Sequence, residues 1–220
     1  MQAPETRPKL SAMERRCSPE LLDDMDPADP EAIRSREDLR RINFLMGNER
    51  WILREIGKAP DLARHGIVEW GAGWGALSMA LAEKGPVTAI DLIPKPTSVS
   101  AAVNWRSGDV LSDRSSGGIL VASLFLHHFD AEQLARLGER MHGFKMLCFV
   151  EPLRTAPSLA LGNLMLPFVN RVTRHDMIVS IHAGFIRGEL PALLGLDPDQ
   201  WHISESCSWR GSIRVLASRR

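Results

Sequence analysis

The sequence predicts an α/β fold in which helices pack on both faces of a doubly wound, mostly parallel sheet. Three observations support this prediction. Residues 65–91 read as strand, glycine-rich turn, helix and strand, further buried-strand patterns follow, and the chain closes with two strand patterns. Ligands in such folds bind at the carboxyl edge of the strands. We therefore expect the functional site at that edge, beside the glycine turn.

The segment of residues 65–91, HGIVEWGAGWGALSMALAEKGPVTAID, is the first βαβ unit of this prediction. An apolar run ends in Glu69, and glycines at positions 71, 73 and 75 follow it. Since glycine has no Cβ, the backbone can turn sharply there and a ligand can approach it closely. A helical pattern and a second apolar run then lead to Asp91. A carboxylate at this place can accept hydrogen bonds from both hydroxyls of a ribose.

Two kinds of ligand fit this turn, and a third interpretation is a turn without a ligand. Gly71-x-Gly73-x-x-Ala76, with an acid about 20 residues further on, satisfies a loose dinucleotide fingerprint. Glu69 argues against a dinucleotide, because its carboxylate would lie near the pyrophosphate and repel it. A ligand that places an ammonium group near Glu69 suits the turn better.

The composition is that of a globular protein with one domain. The chain has 220 residues, of which 44% are hydrophobic and 25% are charged. Lys plus Arg and Asp plus Glu number 27 each, so no net field attracts nucleic acid or an anionic membrane. We therefore expect no nucleic-acid partner.

Cysteine usage and hydropathy predict a cytoplasmic protein. The three cysteines, Cys17, Cys148 and Cys207, are odd in number and far apart, which favours a reducing compartment. The first ten residues lack the apolar core of a secretory signal. No run of about 18 apolar residues is present, so we expect no membrane span.

The chain before the glycine turn divides into two predicted parts. Residues 1–17 are polar and rich in Pro, Glu and Arg, and we expect a disordered tail. Residues 18–60 are predicted to be helical and residues 61–220 to form the main domain. The N-terminal helices either pack on the sheet or form a lid over the site.

Two helices are predicted within this N-terminal region. The first covers residues 29–46, with Leu39, Ile42 and Met46 on its apolar face. The second covers residues 49–57, and Asn48 is its predicted cap.

The third and fourth strands follow the glycine turn with short connections. We expect a short helix within residues 97–102, a strand over 103–106 and then the turn Gly108-Asp109-Val110. The apolar run of residues 119–126 is the predicted fourth strand, buried on both faces. His127 and His128 end this strand, beside the point where ligands should meet.

The second half of the main domain carries an apolar helical insertion. After a fifth strand that ends in Glu151, residues 152–184 depart from the bare fold. The apolar stretch 159–172 contains Pro167, which predicts a kinked helix. This stretch roofs an apolar pocket, belongs to the core or forms the face of a homodimer.

Two features follow the insertion's apolar stretch. Thr173-Arg174-His175-Asp176 is either a substrate-side polar cluster or a salt-bridged turn that anchors the lid. After a helix over residues 187–194, strands over 201–206 and 212–217 are predicted to close the fold as a hairpin.

Three motifs resemble class I methyltransferases, which bind S-adenosylmethionine. Glu69-x-Gly71-x-Gly73-x-Gly75 resembles their motif I, and SLFLHHF, which ends at Phe129, resembles motif IV of the menaquinone- and ubiquinone-type small-molecule enzymes. EPLRT followed by TRHD resembles a group of bacterial methyltransferase-domain proteins, some of them in secondary metabolism and associated with polyketides. The resemblance covers roughly residues 19–218. It implies a Rossmann-like seven-stranded sheet of order 3-2-1-4-5-7-6 with an antiparallel strand 7.

The resemblance also implies a cofactor site for S-adenosylmethionine. Glu69 would orient the amino-acid part of the cofactor, Asp91 would bind its ribose and Asp109 its adenine. Many relatives have a further acid before the fourth strand, where this chain has Gly118. The full set of expected cofactor-binding residues is Glu69, Gly71, Gly73, Trp74, Gly75, Asp91, Leu92, Asp109, Val110 and Ser123.

Methyl transfer needs positioning and, for a phenol or an acidic carbon, a base. Histidine titrates near neutral pH, so His127 or His128 is the candidate base, with Glu151 or His175 as its orienting partner. Glu151, Arg174 and His175 are the candidate substrate residues. A metal site is not expected, because the histidines are adjacent rather than at i, i+4 and the cysteines do not pair.

The sequence therefore predicts methyl transfer to O or C of a small hydrophobic or aromatic acceptor, such as a quinone-like phenol or an aromatic polyketide. An NAD(P)-binding oxidoreductase and a non-catalytic module with the same fold are the alternatives. Hydrolase and NTPase chemistry are disfavoured, because neither Gly-x-Ser-x-Gly nor a phosphate-binding Gly-x-x-x-x-Gly-Lys loop is present.

Overall fold

The computed structural model describes residues 13–26 and 28–220, which form one seven-stranded sheet flanked by helices. The strands are β1 Ile67–Trp70, β2 Val87–Asp91, β3 Val103–Ser107, β4 Gly117–Ser123, β5 Phe144–Pro152, β6 Trp201–Cys207 and β7 Ser212–Arg219. The α-helices are α1 Pro30–Met46, α2 Asn48–Gly57, α3 Pro60–Arg64, α4 Ala76–Leu81, α5 Ala131–Arg140, α6 Ala156–Met165, α7 Arg171–Ala183 and α8 Glu189–Leu193.

The strand order confirms the predicted fold. The strands lie in the order β3-β2-β1-β4-β5-β7-β6. β1 is parallel to β2 and β4, whereas β7 is antiparallel to both β5 and β6. The carboxyl ends of β1, β2, β4 and β5 therefore meet at one edge, where the glycine turn and the histidine pair follow β1 and β4.

Buried side chains fill both faces of the sheet. On one face α2 contributes Trp51, Ile52 and Ile56 to a cluster that includes Val121 and Val150 of the central strands. α2 therefore packs on the sheet, which was one of the two predicted alternatives for the N-terminal helices; the other was a lid over the site. The other face is covered by α5 and α8, with Leu134, Leu137, Leu190 and Leu194 in its cluster.

α1 packs mainly on α7, and its buried stripe is partly polar. Ala32, Ser35 and Asp38 are its buried residues. Asp38 accepts a hydrogen bond from the backbone N–H of Asn170, and the Ser35 hydroxyl accepts one from Thr173. The predicted apolar face of Leu39, Ile42 and Met46 is only half-buried, because polar contacts to α7 decide how this helix sits.

Three local predictions were wrong. Residues 97–102 form turns instead of a short helix. Asn48 does not cap α2: it is the first residue of the helix, and its side-chain oxygen accepts from the Ser212 hydroxyl at 3.0 Å. The stretch 159–172 is not one kinked helix, since α6 ends at Met165 and a 3-10 turn, Leu166–Phe168, separates it from α7.

The break before α7 has a clear local cause. The Asn170 side chain accepts a hydrogen bond from Thr173 N at 2.8 Å and so starts a new helix. The TRHD motif consequently lies on the first turns of α7, not in a loop. Leu164 and Phe168 are 67% and 75% exposed, so they do not belong to the core. The homodimer stays a prediction.

The predictions of a disordered tail and of no membrane span can be compared with the structure only for the residues that it describes. The first twelve residues lie outside the described residues. Within the predicted tail, the Arg15 guanidinium donates to Ala183 O at 2.8 Å, and Arg16 N donates to His182 O at 3.1 Å. Among the described residues, each helix is too short or too polar to cross a bilayer.

Gly118 owes its place to backbone packing. A Cβ on Gly118 would lie 1.8 Å from the carbonyl oxygen of Leu62, at the point where α3 crosses β4. An acid at this position, as in many class I methyltransferases, would therefore require α3 to move away from the strand.

We expect Gly118→Ala to lower the free energy of unfolding by about 1–3 kcal/mol, the usual cost of overpacking. Chemical denaturation monitored by circular dichroism measures this. Gly57→Ala is the matched control, because nothing lies within 4 Å of its added Cβ, and its stability should stay equal or rise. Equal stability of Gly118→Ala and the wild type would contradict this packing.

Candidate active site

The glycine turn after β1 combines two glycines needed for packing with one that faces open space. Gly71, Gly73 and Gly75 have φ angles of 70°, 53° and 75°, in the left-handed region that side chains disfavour. A Cβ would lie 2.1 Å from the Phe125 ring at Gly71 and 2.4 Å from Val99 at Gly75. At Gly73 it would meet nothing within 4 Å. Gly73 is therefore where a ligand can approach the backbone.

Asp91 links the second strand to this turn. Its Oδ2 accepts a hydrogen bond from Gly73 N at 2.7 Å, and its Oδ1 accepts one from Ile93 N at 3.2 Å. These bonds fix the carboxylate beside the open glycine. Each carboxylate oxygen can accept more than one hydrogen bond, so the group can also receive hydroxyl donors from a ligand.

Glu69 is a buried carboxyl group with one hydrogen-bonding side chain next to it. It is 2% exposed near the end of β1, and the Ser78 hydroxyl of α4 donates to it. Burial raises the pKa of Glu69 to about 8, and the negative charges of Glu49 and Asp91 add to this shift. A cationic group beside Glu69 would reverse the shift, so the site favours a ligand with a positive charge.

The residues expected to hold the rest of a cofactor differ in exposure. Trp74 is 48% exposed, with its ring centroid 5.0 Å from the guanidinium carbon of Arg36 on α1. Leu92 is 76% exposed directly after β2. α1 therefore reaches the glycine turn, as a lid would. The predicted lid therefore stays a proposal for α1 alone, because α2 belongs to the core.

The third group of expected cofactor residues lies after β3 and at the end of β4. Asp109 is exposed, and its Oδ1 accepts from Leu111 N at 2.8 Å. Val110 is buried in the core, so only its backbone can face a ligand. Ser123 ends β4 beside Val150 of β5. Asp109 follows β3 and Ser123 ends β4, so both lie at the edge of the sheet that carries the glycine turn, with β2 and β1 between their strands.

The backbone after β4 folds around the carboxylate of Glu151. Glu151 is fully buried, and it accepts hydrogen bonds from the backbone N–H groups of Phe125, Leu126 and His127 at 3.1, 2.8 and 3.3 Å. Leu124, just before this turn, has a φ of 53°, a strained value for a residue with a side chain. Glu151 therefore builds the turn, in contrast to the substrate contact that was one of its predicted roles.

His127 lies between two carboxylates. Its Nδ1 is 2.8 Å from Glu151 Oε2, and its Nε2 is 3.4 Å from Glu20 Oε1. Burial alone would lower the pKa of His127, but these hydrogen bonds and charges outweigh it and raise the pKa to about 9. At neutral pH His127 is therefore a cation held on both sides and has no site for another proton.

His128 differs from its neighbour in exposure and charge. Its side chain is only partly exposed, at 31%, the ring centroids of the two histidines are 4.3 Å apart, and His128 Nδ1 is 3.7 Å from Asp23 Oδ2. Burial of its ring lowers the pKa of His128, and the charge of His127 lowers it further. Of the two histidines, His128 is the one in the right state to accept a proton at neutral pH.

Glu20, His127 and His128 also have the chemistry of a metal site. One ligand atom from each lies within 4.8 Å of the others. However, His127 and Glu20 already satisfy each other without an ion, and Glu151 occupies the second imidazole nitrogen. The absence of a metal stays a prediction from the sequence.

Arg174 and His175 do not join the histidine pair. Both are exposed on α7. Arg174 donates to Val169 O at 3.0 Å, and His175 Nδ1 lies 2.9 Å from Asp176 Oδ1. Of the two predicted orienting partners for the base, the structure places Glu151 next to His127 and leaves His175 elsewhere.

The sequence interpretation missed several groups of this site. Glu20 is 107 residues from His127 along the chain, and nothing in its neighbourhood marks it. Ser78 falls inside a helix, and Phe125 was part of a predicted strand. Asp176 is part of the TRHD motif, which was the one signal in the sequence that pointed to any of these residues.

Comparison with known proteins agrees with the fold. No family model and no curated protein matches the chain. The plantazolicin methyltransferase BpumL, in complex with a pentazolic desmethylPZN analog and SAH, is 12% identical with a TM-score of 0.65, over 88% of this chain and 92% of that one. Magnesium protoporphyrin IX methyltransferase from Synechocystis PCC 6803, with bound SAH, is 16% identical with a TM-score of 0.58, over 87% and 100%.

Human N-acetylserotonin methyltransferase in complex with SAM is a third similar structure. It is 17% identical with a TM-score of 0.54, and the match covers 89% of this chain but 60% of the human enzyme. The chain thus has the fold of the class I, small-molecule methyltransferases. Its antiparallel closing hairpin agrees with that class and not with a sheet that is parallel throughout.

We expect the free energy of unfolding to fall as the pH rises from about 6.5 to 9. His127 holds its proton up to pH about 9 in the folded protein, against a usual pKa of 6.5. Its stabilising contribution is fully present below pH 6.5 and is lost through pH 9. At 1.36 kcal/mol per unit this amounts to about 3 kcal/mol as an upper value.

Urea denaturation across this pH range measures the effect. In His127→Gln the fall between pH 6.5 and 9 should be smaller by the contribution of His127, and the part that comes from Glu69 should remain. Glu69→Gln is the control, because it removes only the part of the pH dependence that comes from Glu69, whose contribution is lost between its ordinary pKa of 4.5 and about 8. Parallel pH curves for the wild type and His127→Gln would show that His127 is not a buried cation.

Proposed function

We propose that the protein transfers a methyl group from S-adenosylmethionine to an oxygen or carbon of a small hydrophobic or aromatic acceptor. One observation carries this proposal: three groups lie at one edge of the sheet. They are the buried Glu69, which holds a proton at neutral pH, Gly73, which has open space in front of its backbone, and Asp91, whose carboxylate can bind a ribose. Solved structures of the same fold contain bound SAH or SAM.

Each part of the cofactor has a matching group in the chain. The ammonium group would lie by Glu69, where its charge would compensate the buried carboxylate. The ribose hydroxyls would donate to Asp91, and the adenine would lie near Asp109 and Leu92. The backbone of Gly73 allows the close approach that such a ligand needs. The bound cofactor would supply the methyl group and its sulfonium leaving group.

The residues of the chain would then orient the acceptor and remove its proton. In-line displacement requires the attacking atom opposite the leaving group, and holding two reactants in this way is worth about 7–11 kcal/mol. We assign the proton acceptor to His128. We assign to His127 a positioning role, since as a cation it keeps the proton off its neighbour. Both histidines thus stay in the proposed site, with different roles.

An aromatic acceptor is supported by the rings beside the histidines. Phe125 and Phe129 meet edge to face at 5.1 Å, and Phe125 lies 6.4 Å from His128 between ring centroids. Aromatic pairs favour such offset or edge contacts with a further ring. A phenol placed against Phe125 could reach His128 with its hydroxyl group.

We expect S-adenosylmethionine and S-adenosylhomocysteine to bind, and we expect Asp91→Ala to weaken binding at least tenfold. Isothermal titration calorimetry measures both. Ionisation of Glu69 on binding should release a proton into the buffer below pH 8. Titrations in buffers of different ionisation enthalpy detect this proton, and Glu69→Gln should abolish its release.

The same titration separates the alternative functions. Binding of NADH or NADPH in place of the adenosyl ligands would overturn the proposal in favour of an oxidoreductase. Failure of all four ligands to bind would favour a non-catalytic module. Asp61→Asn is a suitable control, because Asp61 is exposed on α3 at the amino edge of the sheet, and this variant should bind as the wild type does.

We expect His128→Gln to lower the turnover of a phenolic acceptor by about 10²–10⁴-fold, as general base catalysis typically contributes. Its affinity for S-adenosylmethionine should not change. Transfer of a labelled methyl group to a panel of phenols and quinols measures the turnover. His65→Gln, at an exposed position before β1, should behave as the wild type. Unchanged turnover in both His127→Gln and His128→Gln would rule out a catalytic histidine.

A further inference from the structure

Residues 15–24, which we call the N-terminal strap, lie across the histidine site. At one end the Arg15 guanidinium donates to Phe129 O at 2.8 Å, His127 O at 3.1 Å and Ala183 O at 2.8 Å. Arg15 thereby ties the turn that carries the histidines to the end of α7.

The other end of the strap is held by α7. Asp176 is 1% exposed, and its oxygens accept from Leu21 N at 2.7 Å and Leu22 N at 3.1 Å. These are the first N–H groups of a 3-10 turn, Leu21–Asp24, which would otherwise be unpaired. Two independent anchors on either side therefore fix the part of the strap between them.

Glu20 lies between these anchors and faces His127. Its Oε1 is 3.4 Å from His127 Nε2, the ring nitrogen opposite the one that Glu151 binds. The Ser180 hydroxyl of α7 donates to the same Oε1. Burial alone would raise the pKa of Glu20, but the hydrogen bond and charge of His127 outweigh this and lower it. Glu20 is therefore an ionised partner of His127.

We propose that Glu20 is a positioning residue of the histidine site, and that the N-terminal strap clamps His127 between Glu20 and Glu151. The clamp itself needs no cofactor. Its effect on methyl transfer rests on the proposed function, because His128 is the proton acceptor there. His127, once clamped as a cation, keeps His128 neutral at 4.3 Å between ring centroids.

Several charged groups face the clamped imidazole from the surrounding elements, so its charge does not depend on Glu20 alone. Glu151 comes from β5, Glu20 and Asp23 from the strap and His128 from the same turn, while Asp176 of α7 acts on the neighbouring His128 and Arg15 binds the backbone carbonyl of His127. Glu151 and Glu20 are the two that hydrogen-bond to the ring. Removal of the Glu20 charge should therefore lower the proton affinity of His127 without abolishing it.

The test is a pH titration of the imidazole signals of the full chain by NMR, with His127 assigned from its loss in His127→Gln. In the wild type the His127 midpoint should lie near 9. In Glu20→Gln it should fall by about one unit or more, as loss of an opposite charge at this distance predicts. Glutamine keeps the size of the side chain, so the change isolates the charge.

Glu14→Gln is the matched control. Glu14 lies just before the strap, is 76% exposed and pairs with Arg16, so the His127 midpoint should not move. Ser180→Ala provides a second variant: by loosening Glu20 it should shift the His127 midpoint in the same direction, but less. An unmoved midpoint in Glu20→Gln, or an equal shift in Glu14→Gln, would overturn the clamp.

Kinetics then distinguish a catalytic role of the clamp from a structural one. With a phenolic acceptor, Glu20→Gln should lower kcat about tenfold above the shifted His127 midpoint, so that the alkaline limb of the pH profile moves down with that midpoint, and it should leave the dissociation constant of S-adenosylmethionine unchanged. A shifted midpoint with a wild-type pH profile of kcat would overturn the positioning role. If the wild type transfers no methyl group, the proposed function fails there, while the His127 midpoint still decides the clamp.

Discussion

A buried carboxylate at the end of β5 fixes the geometry of the site. The oxygens of Glu151 accept hydrogen bonds from three consecutive backbone N–H groups after β4 and from the His127 ring. A buried charge is tolerated only where it is paired and hydrogen-bonded. The chain must therefore wrap around Glu151, which accounts for the strained Leu124 and presents both histidines at the sheet edge.

Glu69, the second buried carboxyl group at this edge, differs from Glu151 in how it is compensated. Among the residues that the structure describes, Glu69 has the Ser78 hydroxyl as its hydrogen-bonding partner and no cation acts on it, so burial raises its pKa to about 8. This contrast separates a carboxylate that serves the fold from one that is suited to binding a ligand. Glu151 has its hydrogen-bonding partners within the protein and holds the turn after β4, whereas in the described part of the chain Glu69 has no positively charged partner, which a ligand can provide. Glu69 on β1 and Glu151 on β5 lie on either side of β4, so in the proposed function the cofactor and the acceptor would meet at one edge of the sheet.

Sequence patterns predicted the sheet because each signal is local: apolar runs, the glycine turn and the acids that close β1 and β2. The predictions were wrong where contacts between residues far apart in the sequence determine the local structure. Asn48 meets Ser212 instead of capping α2, and Asn170 starts a new helix where Pro167 predicted a kink. The site shows the same division. Glu69 and Asp91 follow from the motif, but Glu20 reaches His127 only through a strap that α7 holds.

The most direct test of the account is a crystal structure of the protein with S-adenosylhomocysteine. The account predicts its amino group beside Glu69, its ribose on Asp91 and its backbone contact at Gly73. The sulfur should then face the turn that carries His127 and His128, with room for a ring against Phe125. A ligand bound away from the glycine turn, or with its sulfur pointing away from the histidines, would contradict it.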